Sequence, residues 1–283
     1  MIASQFETIS TRVNGRVLYV VIDNPPVNAL SADAMREIGQ LLNSLRTDDT
    51  VSVIVFESAN PRYFIAHVDM NLGEQMQVLG ELAALAPEGV NVFQAVGELL
   101  RNQPQVTVVK LAGIARGGGA EFVAAADMTF AARETARIGQ IESLMGIVPS
   151  GGGTQYLAER VGRNRALELI LTGDSVDADT AASYGWINRA VPADELDTFV
   201  ERLAHNIADL APGVIDGAKR ILAPTTPLEG YRREESEWSA LIGRPAAVGL
   251  MGESLRRGAQ TPDGERDLEG LLRQVGRDAA RAS

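Results

Sequence analysis

Cysteine is absent from the 283-residue chain. Disulfides, thiolate metal sites and cysteine nucleophiles are thereby excluded together. Histidine is nearly absent, with His67 and His205 the only two. Two imidazoles cannot build a histidine-rich metal centre, and neither anchors a recognisable Ser-His-Asp arrangement. No apolar run reaches the roughly 20 residues that a bilayer-spanning helix needs. The stretch Met1 to Glu7 carries neither the basic nor the apolar segment of a secretory signal, so a cytoplasmic location is expected. Basic charge is in deficit: 26 Lys and Arg against 37 Asp and Glu leave a formal charge of −11. So acidic a chain argues against nucleic acid or an anionic membrane as partner. An anionic small molecule remains compatible, because a local basic pocket can sit on an acidic protein.

Apolar residues make up 45% of the chain, as in an ordinary soluble protein, and its length suits one large domain or a core with an appendage. Two strands are expected at 6–11 and 16–22, joined by a hairpin turn at Val13-Asn14-Gly15. Pro25-Pro26 ends the second strand. Ser31 is a suitable N-cap for a helix from Ala32 to about Arg46, in which Met35, Ile38, Leu41, Leu42 and Leu45 keep helical spacing. Val51 to Phe56 is a β-branched run that reads as a buried strand. Helix is expected over 71–103, broken near Ala86 to Gly89. Strands follow at Val106 to Leu111, Met128 to Ala131 and Thr135 to Gln140. This alternation predicts an α/β fold. Shorter helices, a strand at Trp186 to Val191, and then almost continuous helix complete the chain. A boundary near residue 205 divides an α/β core, 1–205, from a helical segment, 206–283, with a frayed tail from Arg277.

The stretch richest in chemical content is Gly113 to Asp127, GIARGGGAEFVAAAD. An apolar strand leads into three glycines and then a strong helix former. Bare backbone N–H groups at a helix N-terminus can approach a ligand closely and favour negative charge. Glu121 stands in the first turn beside them. Donors next to an acid suit stabilisation of an oxyanion and transfer of a proton. A tight turn bearing a surface glutamate is the alternative reading of this stretch alone. A second glycine cluster, Pro149 to Thr154, lacks the Gly-Lys-[Ser/Thr] ending of a phosphate loop. The run at 117–119 is not a dinucleotide-binding fingerprint either.

Six stretches, taken in order, resemble the enoyl-CoA hydratase/isomerase (crotonase) superfamily. Pro26 to Ser31 is similar to its P-x-N-A-L segment, and Phe64 to Met70 to its F-x-A-G-x-D-[LI] loop. Gly113 to Glu121 resembles N-G-x-x-x-G-G-G-x-E, and Gly139 to Gln155 resembles G-x-P-E-x-x-L-G-I-x-P-G-x-G-G-T-Q. Leu171-Thr172-Gly173 and Ala181 to Asn188 fit its later L-T-G and A-x-x-x-G-L-V-[ND] stretches. The resemblance runs from about residue 5 to 222. It implies a spiral of β-β-α repeats and a helical C-terminal segment that builds homotrimers, often paired as hexamers. It also implies an acyl-CoA thioester substrate, with no cofactor beyond the coenzyme A of that substrate and no metal. Carried onto this chain, the oxyanion-hole donors are the N–H groups of Val68 and Gly118, and the catalytic carboxylates are Glu121 and Glu142. Ala29, Leu30, Arg62, Ala66, Asp69, Met70 and Gly117 fall at substrate-binding positions.

Two glutamates imply hydration of a 2-enoyl thioester, Glu121 activating water and Glu142 exchanging a proton at C2. Another crotonase reaction, such as isomerisation, or a non-catalytic binding role are the alternatives. Departures from the family pattern are His67 in place of glycine, Ile141 in place of proline, Ser150 in place of glycine and Asn71 in place of lysine. Arg116 is expected to form a salt bridge, with contact to the CoA pyrophosphate the alternative, and His67 is expected to be a tolerated loop side chain, with a pH-titrating group near the site the alternative. The segment 258–264 departs from the familiar C-terminal pattern.

Overall fold

A computed structural model describes residues 6–282. Its strands are β1 (Ile9–Asn14), β2 (Val17–Ile22), β3 (Val53–Ser58), β4 (Tyr63–Ile65), β5 (Val106–Leu111), β6 (Ile114–Arg116), β7 (Met128–Ala132), β8 (Arg137–Gly139), β9 (Val176–Asp177) and β10 (Arg189–Val191). The helices are α1 (Ala32–Leu45), α2 (Met76–Leu85), α3 (Val92–Arg101), α4 (Gly118–Ala125), α5 (Gly153–Val161), α6 (Arg163–Thr172), α7 (Ala178–Tyr184), α8 (Leu196–Ala208), α9 (Val214–Ile221), α10 (Leu228–Ile242), α11 (Pro245–Arg256) and α12 (Leu268–Ala282).

The strands form two sheets, one of six strands in the order β1-β2-β3-β5-β7-β10 and one of four in the order β4-β6-β8-β9. β1 runs antiparallel to β2, while β2, β3, β5, β7 and β10 are parallel neighbours. Three times the chain makes one strand of the large sheet and then one of the small sheet: β3 then β4, β5 then β6, β7 then β8. Helices follow each pair, so the chain winds as a spiral of β-β-α turns. The repeat leaves no fixed period in the sequence, because the step from Val53 to Val106 is more than twice that from Val106 to Met128. The α2–α3 excursion accounts for the difference.

Apolar side chains of the central strands alternate between two cores. Leu18, Val20, Ile54, Phe56, Val109 and Leu111 face a core shared with α1, α3 and α4. Val17, Val53, Val55, Val106 and Val108 face a second core closed by Leu196, Val200 and Ala204 of α8. Burial on both faces explains why these strands read as unbroken apolar runs. Ser31 caps α1 by accepting from the Ala34 N–H at 3.2 Å, and the five spaced apolar residues of that helix are all buried. Every residue of α4 is buried, and Phe122 at its centre meets Phe56 edge-on at 5.1 Å.

The C-terminal helices fold back over the spiral. Ala247, Ala259, Leu268 and Leu272 pack on Ile141, Met145 and Ile147 beside the Glu142 turn. Tyr231 of α10 is fully buried and bonds Tyr156 Oη at 2.7 Å and Glu98 Oε1 at 2.5 Å. α12 continues as helix to Ala282, where the sequence suggested fraying from Arg277. Its apolar stripe is anchored by Leu268, Leu272 and Val275, which explains the order. Ser283 lies outside the described residues.

Candidate active site

Two backbone segments meet at the N-terminus of α4. The loop after β4 is tied to Leu30, whose N–H donates to His67 O at 2.8 Å and whose carbonyl accepts from Asp69 N–H at 3.1 Å. Both bonds flank Val68, and its own N–H has no acceptor among the described residues. Gly118 opens α4, and its N–H likewise has none, because the first N–H groups of a helix lack intrahelical partners. The segments touch: a Cβ at Gly118 would overlap Val68 Cγ2. Gly117 before it takes φ +51°, a left-handed conformation that favours glycine. A Cβ there would lie 2.8 Å from Glu142 Oε1.

Glu121 and Glu142 are both buried, at 6% and 8% exposure. Glu121 Oε1 accepts from the N–H groups of Gly151 at 2.8 Å and Gly153 at 3.1 Å. Side chains at either glycine would collide with the carboxylate, so the second glycine cluster is the cradle of Glu121. Oε2 has no protein donor among the described residues. Glu142 opens a 3-10 turn, Glu142–Met145. With its amide nitrogen facing Glu142, Gln140 donates to both carboxylate oxygens, at 3.1 and 3.2 Å.

Behind the cradle stands a third buried carboxylate. Glu234 of α10 accepts from Gly152 N–H at 2.9 Å, Gln94 Nε2 at 2.9 Å, and Thr154 N–H and Oγ1 at 3.0 and 2.8 Å. Three acids this close and this dry cannot all ionise freely. Burial, then the charges of Glu142 and Glu234, push Glu121 well above the ordinary carboxylate range against its two N–H bonds. Burial raises Glu142 to about 7, Glu234 adding to the rise and its own N–H and His67 opposing it. A pair poised so that one member holds a proton while the other accepts one suits acid–base work near neutral pH.

The two glutamates, Val68 and Gly118 all line one cavity of about 570 Å³. Apart from Glu121, Glu142, His67, Asp69, Ser150 and the indole of Trp238, its lining is apolar, including Met70, Phe93, Ile242 and Met251. Of the positions expected to bind substrate, Asp69, Met70 and Gly117 also line it. Leu30 borders a small adjoining space with Val68, Gly118 and Glu121. Ala29 and Ala66 lie outside, buried together with Val27 and Tyr63. Arg62 is exposed and is not in the lining. The Asp69 carboxylate is engaged within the protein, accepting from Asn71 N–H, Gln75 Nε2 and Gln260 Nε2 at 2.8, 2.6 and 2.7 Å. Arg116 forms the expected salt bridges, to Glu265 and Glu269. His67 is only 2% exposed and bonded at both ring nitrogens, not the tolerated loop side chain that was expected. Gly151, Gly153, Gln140 and Glu234 carry site geometry that sequence reasoning did not assign. The glycine cluster offered a signal, but Glu234, one of four glutamates along α10, offered none.

The sequence profile of the enoyl-CoA hydratase/isomerase family matches residues 12–238. The chain belongs to the enoyl-CoA hydratase/isomerase family. Among relatives of this family, it is 33% identical over 233 residues to the carnitinyl-CoA dehydratase of Proteus mirabilis, covering 81% of this chain and 85% of that one. It is 32% identical over 209 residues to the short-chain-enoyl-CoA hydratase of Clostridium acetobutylicum, covering 74% and 78%. A crystal structure from Streptomyces avermitilis, of a protein provisionally named an enoyl-CoA hydratase, superposes with a TM-score of 0.95 at 61% identity, covering 96% of this chain and 99% of that one. Among the described residues of this family member, no helix is long and apolar enough to cross a membrane, and no group of three or more acidic or imidazole side chains could hold a metal ion.

The buried pair makes a pH prediction. A carboxyl whose pKa is raised by folding binds its proton more tightly in the folded than in the unfolded chain. The contribution of Glu142 to stability is therefore greatest below the ordinary glutamate value of 4.5 and falls as pH rises toward about 7, its raised value. Glu142→Gln removes that loss. Its melting temperature relative to wild type should shift in the variant's favour between about pH 5 and about pH 8. A difference that does not change with pH would contradict burial as the cause of the shift.

Proposed function

We propose that the protein is an enoyl-CoA hydratase, adding water syn across the C2=C3 bond of a 2-enoyl-CoA thioester with an apolar acyl chain. The observation that carries this reading is the convergence of Glu121 and Glu142 on the cavity bordered by the Val68 and Gly118 N–H groups. In this reading the thioester oxygen lies between those two N–H groups. As water adds to C3, negative charge moves onto that oxygen, and preorganised donors in a dry site stabilise it by about 3 kcal/mol each. Glu121, fixed by Gly151 and Gly153, orients the water and takes its proton. Glu142 delivers a proton to C2 as the enolate collapses, and proton exchange resets the pair. No cofactor is needed, because the chain's own carboxyl groups make both proton transfers. Run in reverse, the same site dehydrates a 3-hydroxyacyl thioester. The apolar lining supports a hydrocarbon acyl group.

Turnover of a 2-enoyl-CoA, followed by loss of the enoyl absorbance and by mass gain of one water in the product, tests the reading. Glu121→Gln and Glu142→Gln should each lower kcat by about 10²–10⁴-fold. A product isomerised without gain of water, or a Glu142→Gln variant as active as wild type, would overturn it.

We also propose that the chain assembles as a homotrimer or a dimer of trimers. Ile221 at the end of α9 and Leu222 beyond it are 84% and 79% exposed, which supports burial against another copy. Light scattering should give three or six times the 30.2 kDa chain mass. A monomer at assay concentrations would refute this.

A further inference from the structure

The two N–H-bearing segments are joined from behind by one carboxylate that belongs to neither. Glu265 sits in the 3-10 turn Gly264–Asp267 ahead of α12 and is fully buried. Its Oε1 faces His67 Nε2 at 2.8 Å, and its Oε2 accepts from Arg116 Nη1 at 3.0 Å. His67 immediately precedes Val68, and Arg116 lies two residues before Gly118. The other ring nitrogen of His67 faces Val68 O at 2.7 Å. Both ring nitrogens thus meet oxygen atoms, one on each side of the ring.

Further ties run from the same segment. Gln260 N–H donates to Glu265 Oε1 at 2.9 Å, and the Gln260 side chain accepts from Met70 N–H at 2.8 Å and donates to Asp69 at 2.7 Å. Gln260 does so at φ +68°, an unusual conformation for a residue with a Cβ, held by bonds on both sides. Arg116 Nε donates to Glu269 at 2.9 Å, so Arg116 bridges Glu265 and Glu269 while His67 meets Glu265 at its other oxygen. Buried charges are tolerated only when paired and fully hydrogen-bonded.

We propose that Glu265 and His67 are positioning residues that set the spacing of the Val68 and Gly118 N–H groups, so that the C-terminal segment shapes the oxyanion hole it does not enter. The proposal rests on the hydratase reading for its kinetic consequence and not for its geometry. It gives one role to two departures of the sequence, His67 and the unusual segment around 258–264. Glu265 lies outside the cavity lining, and His67 borders the cavity with both ring nitrogens already engaged. Misplacing a donor by a fraction of an ångström weakens the transition state far more than substrate binding.

Two measurements on the full chain test this. Glu265→Gln keeps the shape and removes the charge. It should lower enoyl-CoA kcat by about 10–100-fold with KM changed less than about threefold. It should also speed deuterium exchange at residues 66–70 and 116–118 while the central strands stay as protected as in wild type. His67→Gln, which retains a donor toward Glu265 but cannot also reach Val68 O, should show the same pattern in milder form and serves if Glu265→Gln does not fold. Wild-type kcat and wild-type exchange in the folded variant would overturn the proposal, as would a uniform rise in exchange across the chain. If wild type itself hydrates no enoyl-CoA, the functional reading fails, and the exchange pattern alone decides the clamp.

Discussion

Two carboxylates held out of water beside each other are the constraint around which this protein is built. An isolated buried carboxylate is costly, and two neighbours are worse. The chain meets the cost with main-chain N–H groups, supplied where glycine lets the backbone come close. Gly151 and Gly153 donate to Glu121 and have no side chain to push it away. Gly117 gives Glu142 its room in the same manner. Glu234 holds the loop that carries these donors through Gly152 and Thr154, and its negative charge helps keep protons on the pair. Stability is given up locally so that Glu142 titrates near 7 while Glu121 is held well above the ordinary carboxylate range.

The spiral fold serves this arrangement. The large sheet, buried on both faces, fixes β3, β5 and β7, and each feeds a short strand of the small sheet. β4 and β6 pair in parallel, which brings the loop after Ile65 beside the turn after Arg116. Residues far apart in sequence, Val68 and Gly118, therefore line one cavity. The C-terminal helices close it with Trp238, Ile242 and Met251, and a drier site strengthens every charge interaction inside it. The segment that covers the site also reaches behind it through Glu265.

Much of this was legible in the residues. The apolar strand runs, the Ser31 cap and the apolar stripe of α1 followed from local chemistry, and the α/β alternation followed from their order. The run from Gly117 to Glu121 stood out as bare backbone beside an acid, a pattern that a tight turn with a surface glutamate fits as well. Pairing Val68 with Gly118 and Glu121 with Glu142 came only through the family resemblance. No local rule brings residue 68 to residue 118, and the unequal lengths of the β-β-α turns hide the repeat that does. Glu234, Glu265 and Gln260 were not legible at all. Each is a polar residue in a helical or turn-rich segment, and what each does depends on a contact made across more than 80 positions of chain, as Glu234 with Gly152 shows.

The central claim is that one thioester oxygen is shared by the Val68 and Gly118 N–H groups, with the acyl chain between Glu121 and Glu142. A crystal structure of the protein with a saturated acyl-CoA, which binds without being hydrated, tests it most directly. The account predicts the thioester oxygen about 3 Å from both nitrogens, with C2 and C3 facing the two carboxyl groups. An oxygen that approaches neither nitrogen, or an acyl chain lying outside the cavity lined by Glu121 and Glu142, would contradict it.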